Sequence, residues 1–147
     1  MATEQPHTVI DASGLILGRM ASIVAKRLLQ GENIAIINAE KSTVSGKRLS
    51  KIKEAREFLE IGHPDKGPFH PRRPDRIVQR TIRGMLPRRI PKGQKALSRL
   101  RVYLGVPDEF KNVEVMTLSQ ASASKLKGPY LTVGELAKEI GWVGMNR

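Results

Sequence analysis

Residues 33–39, NIAIINA, hold a continuous apolar run. A strand with one wet face alternates polar and apolar residues. A strand that is apolar throughout must be covered on both faces, which is the condition of a central strand in a parallel sheet. The residues before it fit that setting. Residues 7–11, HTVID, read as a short strand, ASG as a turn, and residues 15–30, LILGRMASIVAKRLLQ, as a helix. That helix is apolar nearly all round and is expected to lie closely on a sheet. Gly31 reads as its C-terminal stop. Strand, helix and strand with short links predict a βαβ unit and a parallel pair.

The rest of the chain continues the alternation. KSTV, residues 41–44, reads as a short third strand or a loop. Residues 47–60 carry Leu49, Ile52, Ala55 and Leu59 near helical spacing, with both signs of charge elsewhere, and predict a helix. Between residues 62 and 75 the pattern stops at Gly62, Pro64, Gly67, Pro68, Pro71 and Pro74. Proline fixes φ and removes a donor, so this stretch reads as an extended, semi-rigid arm. A helix follows over residues 75–86. Ile77, Val78, Thr81, Ile82, Met85 and Leu86 share one side, and Arg76, Arg80 and Arg83 fall within roughly 60° of one another on the other. PRRIPKGQ reads as a loop, residues 94–100 as a short helix, 102–104 as a strand and VPDEF as a turn. Residues 113–118 are a weaker strand candidate. Residues 131–140 close the chain as a helix, with Thr132 as cap and Glu135 three residues on. The sum is one domain with a parallel α/β sheet.

Charge narrows the function. The net charge is +12 and the sequence pI about 10.5, which speaks of polyanionic partners. Residues 62–95 hold ten basic side chains against two acids, Asp65 and Asp75, and so carry +8 of that total. The cations there are mostly arginine, whose planar fork suits phosphate. Three like charges on one helix face repel by a few tenths of a kcal/mol per pair unless an anion sits there. Aromatic residues make up 4% of the chain and are scattered, which is poor for a base-stacking platform. A rigid α/β body with a proline-bent basic arm suits folded RNA better than a regular DNA groove. Anionic membrane fits less well, because the arginine helix is short and lacks aromatic anchors.

Other chemistries have little support in the residues. The turn DASGLILGR offers only Gly14 and Gly18, with bulky residues between, and lacks the dinucleotide and P-loop spacings. Lys47 and Arg48, in GKR, sit at a helix N-terminus and make a fair phosphate contact. His63 and His70 flank the prolines in a cationic setting that disfavours a metal. The ordinary reading of both is as loop histidines that hydrogen-bond RNA or solvent, and His7 reads as a strand-edge residue. With no cysteine, disulfides and thiolate metal sites are excluded. No nucleophile motif or singled-out carboxylate pair points to catalysis. A short polar N-terminus and the lack of a run of about eighteen apolar residues lead to the expectation of a soluble, cytoplasmic protein.

Four stretches carry a resemblance. They are GRMASIVAKRL (residues 18–28), INAEK (37–41), GPFHPRRPDRIVQRTIRGMLPRRIPKGQKALSRLRVYLGVP (67–107) and GELAKEIGW (134–142). In this order they resemble the universal large-subunit ribosomal protein L13 family. The GPFH form and the length are similar to archaeal members, while FHPRRP stands where family members have FHFRAP. The resemblance implies a three-layer α/β/α body with a mostly parallel sheet. It implies binding to large-subunit rRNA beside neighbouring ribosomal proteins, a part in subunit assembly, a cytoplasmic location, and no catalysis, cofactor or small-molecule substrate. On this reading the RNA-binding residues are Lys47, Arg48, Lys66, His70, Arg72, Arg73, Arg76, Arg80, Arg83, Arg88, Arg89, Lys92 and Lys95. Residues 62–95 form a basic arm and helix inserted in a single domain spanning residues 1–147. The rival reading is a general nucleic-acid-binding protein acting off the ribosome.

Overall fold

A computed structural model describes residues 8–144. The proposed strand start at His7 lies outside them. The first strand, β1 (Thr8–Asp11), leads into α1 (Leu17–Leu29) and then β2 (Ile34–Ile37). A short strand β3 (Thr43–Ser45) and helix α2 (Arg48–Glu60) follow. Next come α3 (Pro74–Gly84), α4 (Pro91–Ser98) and β4 (Leu100–Val102). The chain closes with β5 (Val115–Met116), β6 (Tyr130–Thr132) and α5 (Val133–Glu139).

The central sheet has the order β4-β2-β1-β5, and every neighbouring pair is parallel. Ile10 stands opposite Ile36, and Ile34 opposite Leu100. The α/β class and the mostly parallel sheet are therefore as the sequence predicts, and the central apolar strand is buried along its whole length. Strand side chains alternate between faces. Ile10, Ile34 and Ile36 meet Met20, Val24 and Leu28 of α1, Val78 and Ile82 of α3, and Ala96 of α4 in one core. Val9, Ala35 and Ile37 point the other way and are closed over by Phe110 and half-buried Tyr103.

Several boundaries move, each for a backbone reason. The first helix starts at Leu17 rather than at residue 15. The Ile16 amide donates to the Ala121 carbonyl at 2.6 Å, and the Leu15 carbonyl accepts from Thr43 N at 2.8 Å, so both residues are spent on bridges. This helix is also not apolar all round, because Arg19, Ser22 and Lys26 form an exposed stripe. Gly31 does stop it, at φ +103°. The segment read as the loop PRRIPKGQ becomes helical from Pro91, since proline is compatible with the first helical position. β4 then falls at Leu100–Val102 rather than at residues 102–104, because that register buries Leu100 beside Ile34.

The closing helix begins at Val133. Residues 130–132, read into it or just before it, instead pair antiparallel with β3 as a separate two-stranded sheet. Thr132 is the cap as predicted. Its hydroxyl accepts from Glu135 N at 3.1 Å, and the Glu135 carboxylate accepts from Thr132 N at 3.4 Å. In α2 only Ile52 is buried, and Leu49, expected on the apolar face, is 81% exposed. Met85, also expected to anchor α3, is 44% exposed, because the helix ends at Gly84 and the backbone turns before the side chain reaches the core.

At the C-terminal ends of β1 and β2, Asn38 sits in the left-handed region at φ 56°. Asparagine tolerates this better than most residues. Its Nδ2 donates to Asp11 Oδ1 at 3.1 Å, and the Ser13 amide donates to the same oxygen at 2.9 Å. Partial burial acts to raise the Asp11 pKa, but these hydrogen bonds and the nearby Lys41 ammonium outweigh it and hold the carboxyl below its ordinary value.

Two outcomes follow. Replacing Ile82, which is fully buried, with aspartate strands a charge in the core and should cost about 4 kcal/mol or more. Met85→Asp should stay within about 0.5 kcal/mol. Urea denaturation followed by circular dichroism separates the two, and equal losses would mean that α3 is seated on a different face. Asp11 contributes stability that is fully present above the ordinary carboxylate range and is lost as pH falls through its lowered folded value. Asp11→Ala should therefore cost about 1–2 kcal/mol at neutral pH and less in acid, read as the variant's convergence with the parent in a pH series of melts.

Candidate nucleic-acid interface

After α2 the chain does not run straight out. The His63 amide donates to the Gly67 carbonyl at 2.9 Å and the Gly67 amide returns the bond at 2.8 Å, closing a loop with Lys66 exposed in its turn. Gly62 and Gly67 take φ +103° and +85°, and a Cβ on Gly62 would lie 2.3 Å from Pro68 Cδ. The four prolines suggest extension, but these two glycines fold the segment back. Its return leg is tied down at two points. Arg80 Nη1 donates to the Phe69 carbonyl at 3.0 Å, and the His70 ring lies 5.5 Å from Phe58 of α2.

Arg73 caps α3 and Pro74 opens it. Burial of Pro74, Val78 and Ile82 fixes the helix against the core, and that leaves Arg76 and Arg80 exposed and Arg83 half-buried. These three guanidinium groups and the His70 imidazole converge on an open groove of about 340 Å³, walled also by Phe69, Pro71, Gln79 and Leu97. No acidic residue lines it. Among the described residues, Arg76, Arg80 and Arg83 form no ion pair. The one acid on α3, Asp75, faces away from the row: it bridges Arg73 at 3.2 Å and accepts from the Arg76 amide at 2.9 Å.

Arg88 and Arg89 lie exposed in the turn between α3 and α4, where the Ile90 amide donates to the Pro87 carbonyl at 3.2 Å. Gln94 Nε2 donates to the Arg88 carbonyl at 3.2 Å and steadies the turn. Lys92 and Lys95 are exposed on α4. Gly93 is buried beneath the turn, and a Cβ there would lie 2.0 Å from the Pro87 oxygen. Arg72 and Arg73 open onto a different groove, shared with residues 141–144.

The N-terminus of α2 is a separate place. Lys47 is exposed at the cap, but Arg48 is engaged by two carboxylates of α5, Glu139 at 3.0 Å and Glu135 at 3.4 Å. Arg56 joins Glu139 at 3.2 Å. The ring nitrogen of His63 accepts the Asp65 amide at 3.1 Å. The glycine turn before α1 has its backbone committed to protein. Gly14 N donates to the Lys41 carbonyl at 3.2 Å, and its own carbonyl accepts from Ala123 N at 2.8 Å. Among the described residues no group of three or more His, Asp or Glu side chains is placed to hold a metal ion.

The sequence reading missed Gln79, Phe69 and Leu97 in the groove. Gln79 had a signal, because it lies three residues after Arg76 and four before Arg83 and so shares their face. Leu97 had none, since only the fold brings α4 beside α3.

A family profile described as Ribosomal protein L13 matches residues 5–109. The chain is 52% identical over 136 residues to the large ribosomal subunit protein uL13 of Methanosarcina barkeri, covering 91% of this chain and 97% of that one. It is 43% identical over 140 residues to uL13 of Archaeoglobus fulgidus, covering 94% and 90% of the two chains. Against uL13 of Aeropyrum pernix it is 40% identical over 146 residues, covering 96% and 94%.

Two glycine substitutions test how the basic turn is held. Gly93→Ala drives a methyl into the Pro87 carbonyl and should lower stability by about 1–3 kcal/mol. Gly84→Ala, at the end of α3, meets open space and should be neutral or stabilising by up to about 1 kcal/mol. Paired thermal melts check both, and an unaffected Gly93→Ala would mean that the turn is not seated on that residue.

Proposed function

The chain belongs to the ribosomal protein L13 family, and on that premise we propose that its basic face clasps folded large-subunit rRNA and helps that subunit assemble. Membership makes the protein a cytoplasmic structural constituent of the large ribosomal subunit, acting in translation and not as an enzyme. The finer reading concerns which side chains hold the RNA.

One observation supports it above the others. Arg76, Arg80 and Arg83 share a groove with His70 and have no carboxylate to neutralise them. Phosphate contacts supply affinity and register, and a guanidinium held on a packed helix loses little freedom when it makes one. Arg88, Arg89, Lys92 and Lys95 extend the cationic surface through the turn and along α4. Lys66 and Arg72 extend it in the other direction, along residues 62–75. In this assignment the inserted unit, residues 62–95, is the chief RNA contact of a single domain. Lys47 adds a lesser contact at the start of α2. Arg48 ranks last, because its charge is already balanced by Glu139 and Glu135.

The test is a salt titration of binding to a large-subunit rRNA fragment. Replacing Arg80 and Arg83 together with glutamine should weaken binding. It should also reduce the slope of log K against log salt by roughly 0.7–0.9 for each phosphate that is no longer neutralised. Arg48→Gln should change the slope by much less. An unaltered slope in the double variant would overturn the assignment. Equal affinity for the fragment and for duplex DNA would favour a general nucleic-acid binder instead.

A further inference from the structure

The groove shared by Arg72, Arg73 and residues 141–144 has a different character from the arginine row. Its volume is about 520 Å³, within the range of pockets that hold small organic groups. Leu104, Val143 and the Trp142 indole give it apolar walls, and its polar side chains are the two arginines. Arg73 is already bridged to Asp75 at 3.2 Å. Arg72 is exposed and has neither an ion-pair nor a hydrogen-bond partner among the described residues. A spare cation therefore stands beside an aromatic wall.

The backbone around both groups is fixed. The Trp142 amide donates to the Ala137 carbonyl at 2.9 Å, which fixes the residue to the end of α5. Gly141, at φ +118°, has no side chain to keep Arg72 away. Arg72 Nη1 comes within 3.4 Å of where a Cβ would stand, so the guanidinium lies against the Gly141 backbone, in the groove that Trp142 also lines. A Cβ on Gly144 would meet nothing within 4 Å, so the groove is open there.

We propose that this groove receives one unstacked nucleotide of the bound RNA, its base on Trp142 and its phosphate on Arg72. The inference rests on the RNA-binding reading above and adds a subsite to it. Single-stranded loops and bulges offer splayed bases that stack on aromatic side chains, and every base has a π face to offer. A duplex phosphate satisfies Arg72 but leaves the indole and the apolar walls unused. Arg72 and Arg73 immediately precede α3, so RNA tracking along the arginine row reaches this groove next.

The chain has one tryptophan, so its emission reports on residue 142, which lines this groove and an adjoining one that holds Glu40, Glu135 and Lys138. Loss of the response in Arg72→Gln assigns it to this groove. The full chain is titrated at low salt with two end-labelled RNA hairpins whose ends are joined by a non-nucleotide linker in place of a loop, one fully paired and one with a single bulged adenosine. Label anisotropy reads total binding, and tryptophan emission reads the subsite. Both hairpins should bind, and only the bulged one should quench Trp142. Arg72→Gln and Trp142→Leu should each weaken the bulged hairpin about fivefold or more, relative to their effect on the paired one. If both hairpins bind and quenching is absent or equal, the subsite is overturned while the RNA reading stands. If neither binds, the RNA reading falls and the subsite with it. The emission comparison uses the unaltered chain, so it decides even if Trp142→Leu folds poorly.

Discussion

The basic face depends on the burial of Val78 and Ile82. Three arginines within one arc of a helix repel one another, and nothing in the described structure neutralises them. Repulsion of this kind costs a few tenths of a kcal/mol per pair. Full burial of a valine or isoleucine side chain contributes about 1.5–3 kcal/mol. Two such side chains, both inaccessible to solvent, outweigh the repulsion with a wide margin. The helix is therefore stable enough to carry a charge row that does nothing for its own folding. It also takes its orientation from that contact, because residues 78 and 82 lie one turn apart and fix which face turns outward.

The same logic extends to the segments on either side. The loop before α3 is closed by a reciprocal pair of backbone bonds between His63 and Gly67. The turn after it sits on Gly93, the one residue small enough to lie under the Pro87 carbonyl. Arg80 works in two directions, since it donates to the Phe69 carbonyl and still lines the open groove. Each constraint removes freedom before any ligand arrives. For flexible cationic side chains that freedom is a large part of what binding must overcome, so a shaped, partly fixed surface can discriminate among phosphate arrangements where a loose tail cannot.

What could be read in the sequence was local or periodic. The apolar run at residues 34–37 declared a central strand, and Thr132 with Glu135 declared a helix start. The alternation of Val78 and Ile82 with Arg76, Arg80 and Arg83 declared both faces of α3. The misreadings came from contacts distant in sequence. Leu15 and Ile16 have helical spacing, but their backbone is claimed by residues 43 and 121. Residues 130–132 become a strand only because β3 lies beside them. Met85 and Leu49 fit the apolar pattern, yet one falls past the helix end and the other lies at a helix start that meets no core. In the candidate site, the guanidinium row was legible from spacing alone. The tie between Arg48 and Glu139 was not, because 91 residues separate them.

That tie bears on why the charge is concentrated where it is. Outside residues 62–95, five acids are tied into the body of the protein. Glu32 forks with Arg27 at 2.7 and 3.0 Å, and Glu40 accepts the Gly105 amide at 3.0 Å. Glu139 holds Arg48 and Arg56, while Glu135 completes the cap of α5. Asp11 binds Asn38 and the Ser13 amide. Within residues 62–95 the only acids are Asp65 and Asp75, and Asp75 turns to Arg73. The basic face thus arises as much from where carboxylates are withheld as from where arginines are placed. Internal pairing leaves Arg27, Arg48 and Arg56 little to offer an outside anion. The unpaired row and the arginine beside Trp142 keep their full charge for a partner, and a polyanion that follows the order of those side chains satisfies what the fold leaves unsatisfied.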